Sequence, residues 1–157
     1  LVNELNVDGK KTDVVINNVH VGYVVLRTVD EFNLKEFLAE NRYVQEFIHL
    51  LPETFGVIDK IYIKEGEQGK GFGAQIMNQV LETFKGKVNV IHLIPHPISE
   101  VKKQMDGMQF HLARLRLVGF YARFGFLLDD TRYVEPKNLK VAHLRPMFLT
   151  LSDKCRE

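Results

Sequence analysis

Nine residues, Glu65-Gly66-Glu67-Gln68-Gly69-Lys70-Gly71-Phe72-Gly73, place four glycines between an apolar run and an amphipathic one. The run before them, Gly56-Val57-Ile58-Asp59-Lys60-Ile61-Tyr62-Ile63, is rich in β-branched residues and reads as a strand. Behind them Ile76, Met77, Val80, Leu81 and Phe84 fall on one face at helical spacing, and Gly86 follows where a helix would stop. A strand, a glycine loop and a helix in that order present unpaired backbone N–H groups at the positive end of a helix dipole. That arrangement suits a phosphate or pyrophosphate. Glycine lets the backbone approach such an anion with no Cβ in the way.

The rest of the chain alternates strand-like and helix-like segments. Asp13 to Ile16 and Val19 to Thr28 read as strands joined by a tight turn at Asn17-Asn18. A helix follows, capped by Asp30 or Asn33, with Asn33 and Glu36 spaced as a capping box. Its apolar residues, Leu34, Phe37, Leu38, Val44, Phe47, Ile48 and Leu51, recur until Pro52, as one helix or as two broken near Asn41. After the glycine-loop helix come a strand over Val88 to Ile94, a polar stretch with room for a short helix over Ser99 to Gly107, and a helix from Phe110 to Phe124 stopped by Gly125. In that helix Phe110, Leu112, Leu115, Val118 and Phe124 read as core. Val141 to Leu149 reads as a strand that Pro146 pushes to an edge or bulge. With no repeat or linker, the expectation is one α/β domain over residues 1–157.

Composition narrows the function classes. The 21 Lys and Arg against 20 Asp and Glu leave a net charge of +1, which argues against a polybasic nucleic-acid binder. No apolar run approaches the roughly 18 residues of a membrane span. A single cysteine, Cys155, excludes an internal disulfide framework and a cysteine-rich zinc site. No signal-peptide pattern opens the sequence, so a cytoplasmic protein is expected; it starts at Leu1 rather than methionine, which leaves room for residues upstream. The near-neutral total hides an asymmetry: Asp30 to Glu53 carries six acids and two bases, and Glu100 to Arg123 five bases and two acids. Solvated helix faces account for this, as would one end suited to a cation and another to an anion.

Three nucleotide-binding patterns compete for the glycine loop. A P-loop needs Ser or Thr after its Gly-Lys, and here Gly71 follows Lys70. Gly69, Gly71 and Ala74 satisfy a dinucleotide G-x-G-x-x-A, but the next strand ends in His92-Leu93-Ile94-Pro95 with no carboxylate to hold a ribose. The third pattern, Gln-x-x-Gly-x-Gly, is met by Gln68-Gly69-Lys70-Gly71-Phe72-Gly73. Here the sequence resembles the GNAT N-acetyltransferase superfamily, whose acetyl-coenzyme A site uses such a loop. A second segment, Phe120-Tyr121-Ala122-Arg123-Phe124-Gly125-Phe126, is similar to the superfamily's late Phe-Tyr-x-x-x-Gly-Phe signature, and the two occur in the expected order.

The resemblance implies a mixed, mostly antiparallel sheet flanked by helices and splayed around acetyl-coenzyme A. It implies that Gln68, Gly69, Lys70, Gly71, Phe72, Gly73 and Ala74 cradle the pyrophosphate. The backbone of Ile61, Tyr62 and Ile63 would pair with the pantetheine arm and, at a bulge, supply an oxyanion donor. Tyr121 matches the general acid of many members; a phenol with an ordinary pKa of about 10 is protonated at neutral pH and can donate to a thiolate. Asp59 lies where spermidine/spermine-type members carry a glutamate base. A carboxylate of pKa about 4 would act on an ammonium through a water. Strict alternation puts Asp59 on the face of Ile61 and Ile63, opposite Lys60 and Tyr62, unless a bulge intervenes. Glu53 is a further carboxylate candidate.

The sequence departs from the family pattern in three places. The asparagine that commonly orients the cofactor arm is replaced by Ile94-Pro95-His96-Pro97. The connection from Leu93 to Tyr121 is long, with Ile98 to Met108 as a lid or pocket wall. An acidic helix, instead of a strand hairpin, precedes the glycine-loop strand. His92 and His96 lack a third ligand for a metal, and His96 and His111 are alternatives for acceptor contacts or a proton relay. The implied activity is direct acetyl transfer to a primary amine on a small molecule or a protein, with no metal, nucleic acid or membrane; a homodimer is one option. The alternatives are a non-catalytic acyl-coenzyme A sensor and an NAD-dependent oxidoreductase.

Overall fold

Asn17 and Asn18 both adopt left-handed backbone (φ 52° and 66°), as a two-residue hairpin loop requires and asparagine tolerates. In the computed structural model, which describes residues 2–46, 48–96, 107–128 and 146–151, they join β1 (Asp8–Ile16) to β2 (Val19–Val29). β1 begins at Asp8, before the β-branched residues do, because Gly9 (φ 85°) absorbs a register slip opposite Arg27. Contacts divide the chain into two compact units, Leu1–His92 with Thr150–Glu157, and Leu93–Leu149.

In the first unit the strand order is β1-β2-β3-β4, with β3 at Phe55–Ile63 and β4 at Val90–Leu93. β1–β2 and β2–β3 pair antiparallel. Between β2 and β3 lies α1 (Leu34–Glu40), which does break at Asn41: the Asn41 backbone N–H and its Nδ2 both donate to the Phe37 carbonyl, at 2.9 and 3.0 Å. Two 3-10 turns, Arg42–Glu46 and Ile48–Leu50, continue the path. The expected capping box is absent. Asn33 Oδ1 instead accepts the Asp30 N–H (2.8 Å) and its Nδ2 donates to the Thr28 carbonyl (2.9 Å), while Asp30 Oδ1 accepts from Phe32 and Asn33. These bonds fix the strand-to-helix turn and leave Glu36 exposed.

The two faces of the β2–β3 pair have different covers. On one, Val29, Phe55 and Val57 pack with Phe37 and Val44, the Phe37 and Phe55 rings meeting edge to face at 5.8 Å. On the other lies α2 (Phe72–Phe84), whose Ile76, Met77, Val80 and Phe84 are buried. Gly56 leaves room for the helix, for a Cβ there would stand 2.8 Å from the Phe84 ring. Gly86, at φ 79°, follows the helix as its spacing predicts.

The second unit contains α3 (Gly107–Ala122) and the antiparallel pair β5 (Leu127–Leu128) and β6 (Met147–Thr150). Gly125 (φ 96°) ends α3, and the Tyr121 carbonyl accepts from both Phe124 and Phe126. Leu112 and Leu115, expected in the core, are exposed. Helical periodicity gives the inner stripe of α3 to Arg114 and Tyr121 instead, with Phe110 and Val118 half-buried. The stretch 97–106, most of the expected lid, lies outside the described residues, as do 141–145 and Cys155. The fold is mixed α/β with mostly antiparallel strands, six strands and three α-helices among the described residues. No described helix is long and apolar enough to cross a membrane.

Gly22 faces Ile63 across the β2–β3 ladder, and a Cβ there would overlap the Tyr62 carbonyl oxygen. Gly22→Ala is expected to cost more than about 3 kcal/mol, since backbone rather than a flexible side chain must yield. Asn18→Gly is expected to gain about 0.5–1 kcal/mol by relieving its left-handed backbone. Urea unfolding midpoints of the two variants check both signs.

Candidate functional site

β3 runs at Ile63 into Lys64 and a 3-10 turn, Glu65–Glu67. The Gln68 side chain reaches back, its Nε2 donating to the Ile63 carbonyl at 2.9 Å, so this residue shapes the loop from within. Gly69 and Gly71 hold left-handed backbone (φ 80° and 82°), and a Cβ at either would meet nothing within 4 Å. Their glycine is therefore demanded by conformation, with open space left above the backbone. Gly71 is the N-cap of α2 and gives it no side-chain cap. The first-turn N–H groups of Phe72, Gly73 and Ala74 have no carbonyl four residues back within the helix, which makes them donors for an anion. Lys70 is exposed, but its Nζ already pairs with Glu67 Oε1 at 3.1 Å, so the backbone supplies most of the loop's positive character.

Upstream, β3 carries one residue too many for β2. Val25 pairs with Lys60 and Leu26 with Ile58, which leaves Asp59 without an opposite residue. This is a β-bulge, and it lies earlier than the stretch Ile61 to Ile63 where the family pattern locates one. The bulge also breaks the expected grouping of Asp59 with Ile61 and Ile63 on one face. The Asp59 carboxylate meets Arg27 (Nε–Oδ2 3.4 Å), which shares a sheet face with Tyr23 and hence with Tyr62, not with Ile61 and Ile63. Beyond the bulge Ile61, Tyr62 and Ile63 pair with Val24, Tyr23 and Gly22. The Tyr62 ring packs on Tyr23 with centroids 5.3 Å apart. β4 has four residues against nine in β3, so it covers only part of the second edge of β3.

Burial pushes the Asp59 carboxyl above its ordinary value, opposed by the charge of Arg27. Glu40 adds to the rise and Lys60 opposes it. Arg27 Nη2 lies 3.5 Å from Glu40 Oε2, and the guanidinium stands 5.7 Å from the Phe37 ring centroid. Arg27 was not singled out by sequence, and Glu40 only as one acid of the segment Asp30 to Glu53; the available signal for Arg27 was an arginine inside the apolar run Val19–Val29.

Asp59, Ile61 to Ile63 and Gln68 to Ala74 belong to the first unit, and Tyr121 to the second. Tyr121 is buried, 6% exposed, with its ring against Phe120 and Phe126 at 5.3 and 5.7 Å. Burial raises its phenol above the ordinary value, so it is protonated at neutral pH. Glu53 is exposed, His92 is buried, and the His96 ring meets Phe110 edge to face at 5.5 Å. His111 is exposed on α3.

Solved structures of similar fold include the arylalkylamine N-acetyltransferase 2 of Aedes aegypti, at TM-score 0.53 and 12% identity, over 90% of this chain and 73% of that one. The spermidine/spermine N-acetyltransferase SpeG of Vibrio cholerae, in mutant forms, gives 0.50 at 18% identity, over 93% and 69%. A bacterial toxin gives 0.50 at 13%, over 90% and 66%, so the chain spans about two thirds of that protein's length. No curated protein matches the chain by sequence. At these identities the structures establish likeness of fold. The family itself is given by the sequence model of the acetyltransferase (GNAT) family, which matches residues 9–126, well over half of the chain, and the chain belongs to that family.

Proposed function

We propose that this chain, as one domain, transfers the acetyl group of acetyl-coenzyme A to a primary amine by direct attack. The observation that carries the reading is the loop Gln68 to Ala74, with two left-handed glycines under open space ahead of an uncapped helix start. Those features fit a pyrophosphate, whose oxygens would accept from the backbone N–H groups there. Acetyl-coenzyme A supplies an activated acyl thioester. Asp59 takes a proton from the acceptor ammonium through a water, which leaves a lone pair to attack the acetyl carbon. Backbone N–H groups between the Asp59 bulge and Ile63 donate to the thioester oxygen as it gains charge. As the carbon–sulfur bond breaks, Tyr121, a phenol protonated at neutral pH, gives its proton to the departing thiolate, and the surplus proton on the acylated nitrogen leaves through solvent, which restores the phenol.

A cationic amine suits the exposed acids Glu36 and Glu40 of α1, the helix packed on the Arg27 face of the sheet. Two of the solved structures of like fold are named as acetyltransferases of amines, which agrees with this acceptor class. The acidic helix and the Asp59 face favour a transferase over a passive acyl-coenzyme A sensor.

Calorimetric titration is expected to show saturable acetyl-coenzyme A binding and none of NAD. Gly71→Val should weaken that binding at least tenfold, about 1.4 kcal/mol, through left-handed strain and a blocked backbone approach. Lys70→Ala should change it less than about threefold, because Lys70 is already paired. Absence of heat with acetyl-coenzyme A refutes the reading.

Tyr121→Phe is expected to lower kcat by about 10²-fold or more while acetyl-coenzyme A affinity holds. Because burial raises the phenol, any alkaline limb caused by its ionisation lies above the ordinary pH 10, and rates up to pH 9 stay free of it. Steady-state thiol release across an amine panel measures both. Binding without turnover on that panel would establish the sensor instead.

A further inference from the structure

Four elements meet at one guanidinium. Arg27 projects from β2, Nε toward Asp59 in the β3 bulge at 3.4 Å and Nη2 toward Glu40 of α1 at 3.5 Å. Its plane lies by the Phe37 ring, and Gly9 of β1 leaves it room, since a Cβ there would stand 3.4 Å from Nε. The side chain is 20% exposed, so the pair with Asp59 (21%) is screened far less than a surface ion pair. Asp59 Oδ2 is buried against the guanidinium, and the remaining exposure of that side chain lies elsewhere on it. Oδ2 and Nε, 3.4 Å apart and both buried, form an ion pair without a hydrogen bond, so the contact between them is electrostatic.

We propose that Arg27 is a positioning residue for acetyl transfer: it pairs with the Asp59 carboxylate in the bulge and ties it through Glu40 to α1. The role in turnover rests on the acetyltransferase reading above; the clamp itself does not. The charged groups facing Asp59 are Arg27 from β2, Glu40 from α1 and Lys60 on its own strand. From β1, Asp8 stands opposite Arg27 in register, with its Oδ1 accepting the Lys10 N–H. Arg27 is the attractive charge that both carboxylates share, so removing it leaves two acids with no cation between them. Removing Glu40 leaves Arg27 to Asp59 alone.

Carbon-13 carboxyl NMR of the full chain, with Asp59 assigned by Asp59→Asn, tests the clamp directly. In Arg27→Gln the Asp59 midpoint should rise by about one pH unit or more, and in Arg27→Lys most of that rise should be recovered. Glu40→Gln, a change at a half-exposed side chain, should lower the midpoint and serves even if Arg27→Gln does not fold. Midpoints unmoved in Glu40→Gln and in whichever Arg27 variants fold overturn the clamp. In kinetics, Arg27→Gln should cut kcat about tenfold with the KM for acetyl-coenzyme A unchanged, and the acidic limb of kcat/KM should follow the NMR midpoint. A midpoint that moves without the rate limb removes Asp59 from the chemistry and overturns the positioning role. If the unaltered chain acetylates no amine, the transferase reading fails while the NMR arms still decide the clamp.

Discussion

Asp59 has no partner on β2, and β3 therefore changes parity halfway along its length. Before the bulge Val57 shares a sheet face with Arg27; beyond it Lys60 and Tyr62 share that same face with Val25 and Tyr23. An unbroken alternation would have turned Lys60 and Tyr62 toward α2 and Ile61 toward α1. One inserted residue thus lets the apolar end of the strand, Phe55 to Ile58, and the end that enters the glycine loop each present the right side chains. It also leaves a mostly buried carboxylate, Asp59, against the Arg27 guanidinium. Arg27 makes that tolerable. Taking away one partner of a mostly buried ion pair typically costs about 3–5 kcal/mol, because the other charge is left in poor solvent.

The glycine loop depends on the same strand end. Gln68 bonds the Ile63 carbonyl, Lys64 donates to the Val21 carbonyl at 2.9 Å, and the path from sheet to α2 is set before any ligand arrives. Preorganisation of this kind limits the entropy lost on binding, and it costs backbone strain at residues that only glycine holds cheaply. Gly22 contributes from the far side: its lack of a side chain lets β2 close on Tyr62, which keeps β3 in register up to the loop.

Much of this was legible in the sequence, for reasons that differ by element. The hairpin at Asn17-Asn18, the amphipathic α2 and the glycine stops at Gly86 and Gly125 follow from local rules, and local rules held. Asp59 was misplaced because alternation counts residues in twos and cannot see that the partner strand offers one fewer. Leu112 and Leu115 were assigned to the core by hydrophobicity alone, while helical phase gives the inner stripe to Arg114 and Tyr121. The capping box failed for a similar reason: Asn33 had a better use, closing the turn onto Thr28 and Asp30. Arg27 and Glu40 belong to the site through tertiary contact, which spacing does not encode.

Burial also changes what the charge asymmetry means. The basic segment suited either a solvated face or an anion, yet Arg114 is buried on α3 and Arg123 stands 5.8 Å from the Phe120 ring centroid, so hydrophobic packing shares in holding both. At the loop itself Lys70 is paired with Glu67. Under the proposed function, recognition of a pyrophosphate would rest on backbone N–H groups, which keep their polarity at every pH and are fixed in direction, more than on side-chain charge. The acidic segment divides differently: Asp30 is engaged in the turn before α1, Glu40 is half-neutralised by Arg27, and Glu36 and Glu53 face water. A cation approaching α1 would meet its acids singly, one of them already sharing a guanidinium. Under the proposed function, such a surface would suit a compact ammonium placed near one carboxylate better than a broad polycationic chain, because only the latter needs many uncompensated charges at once.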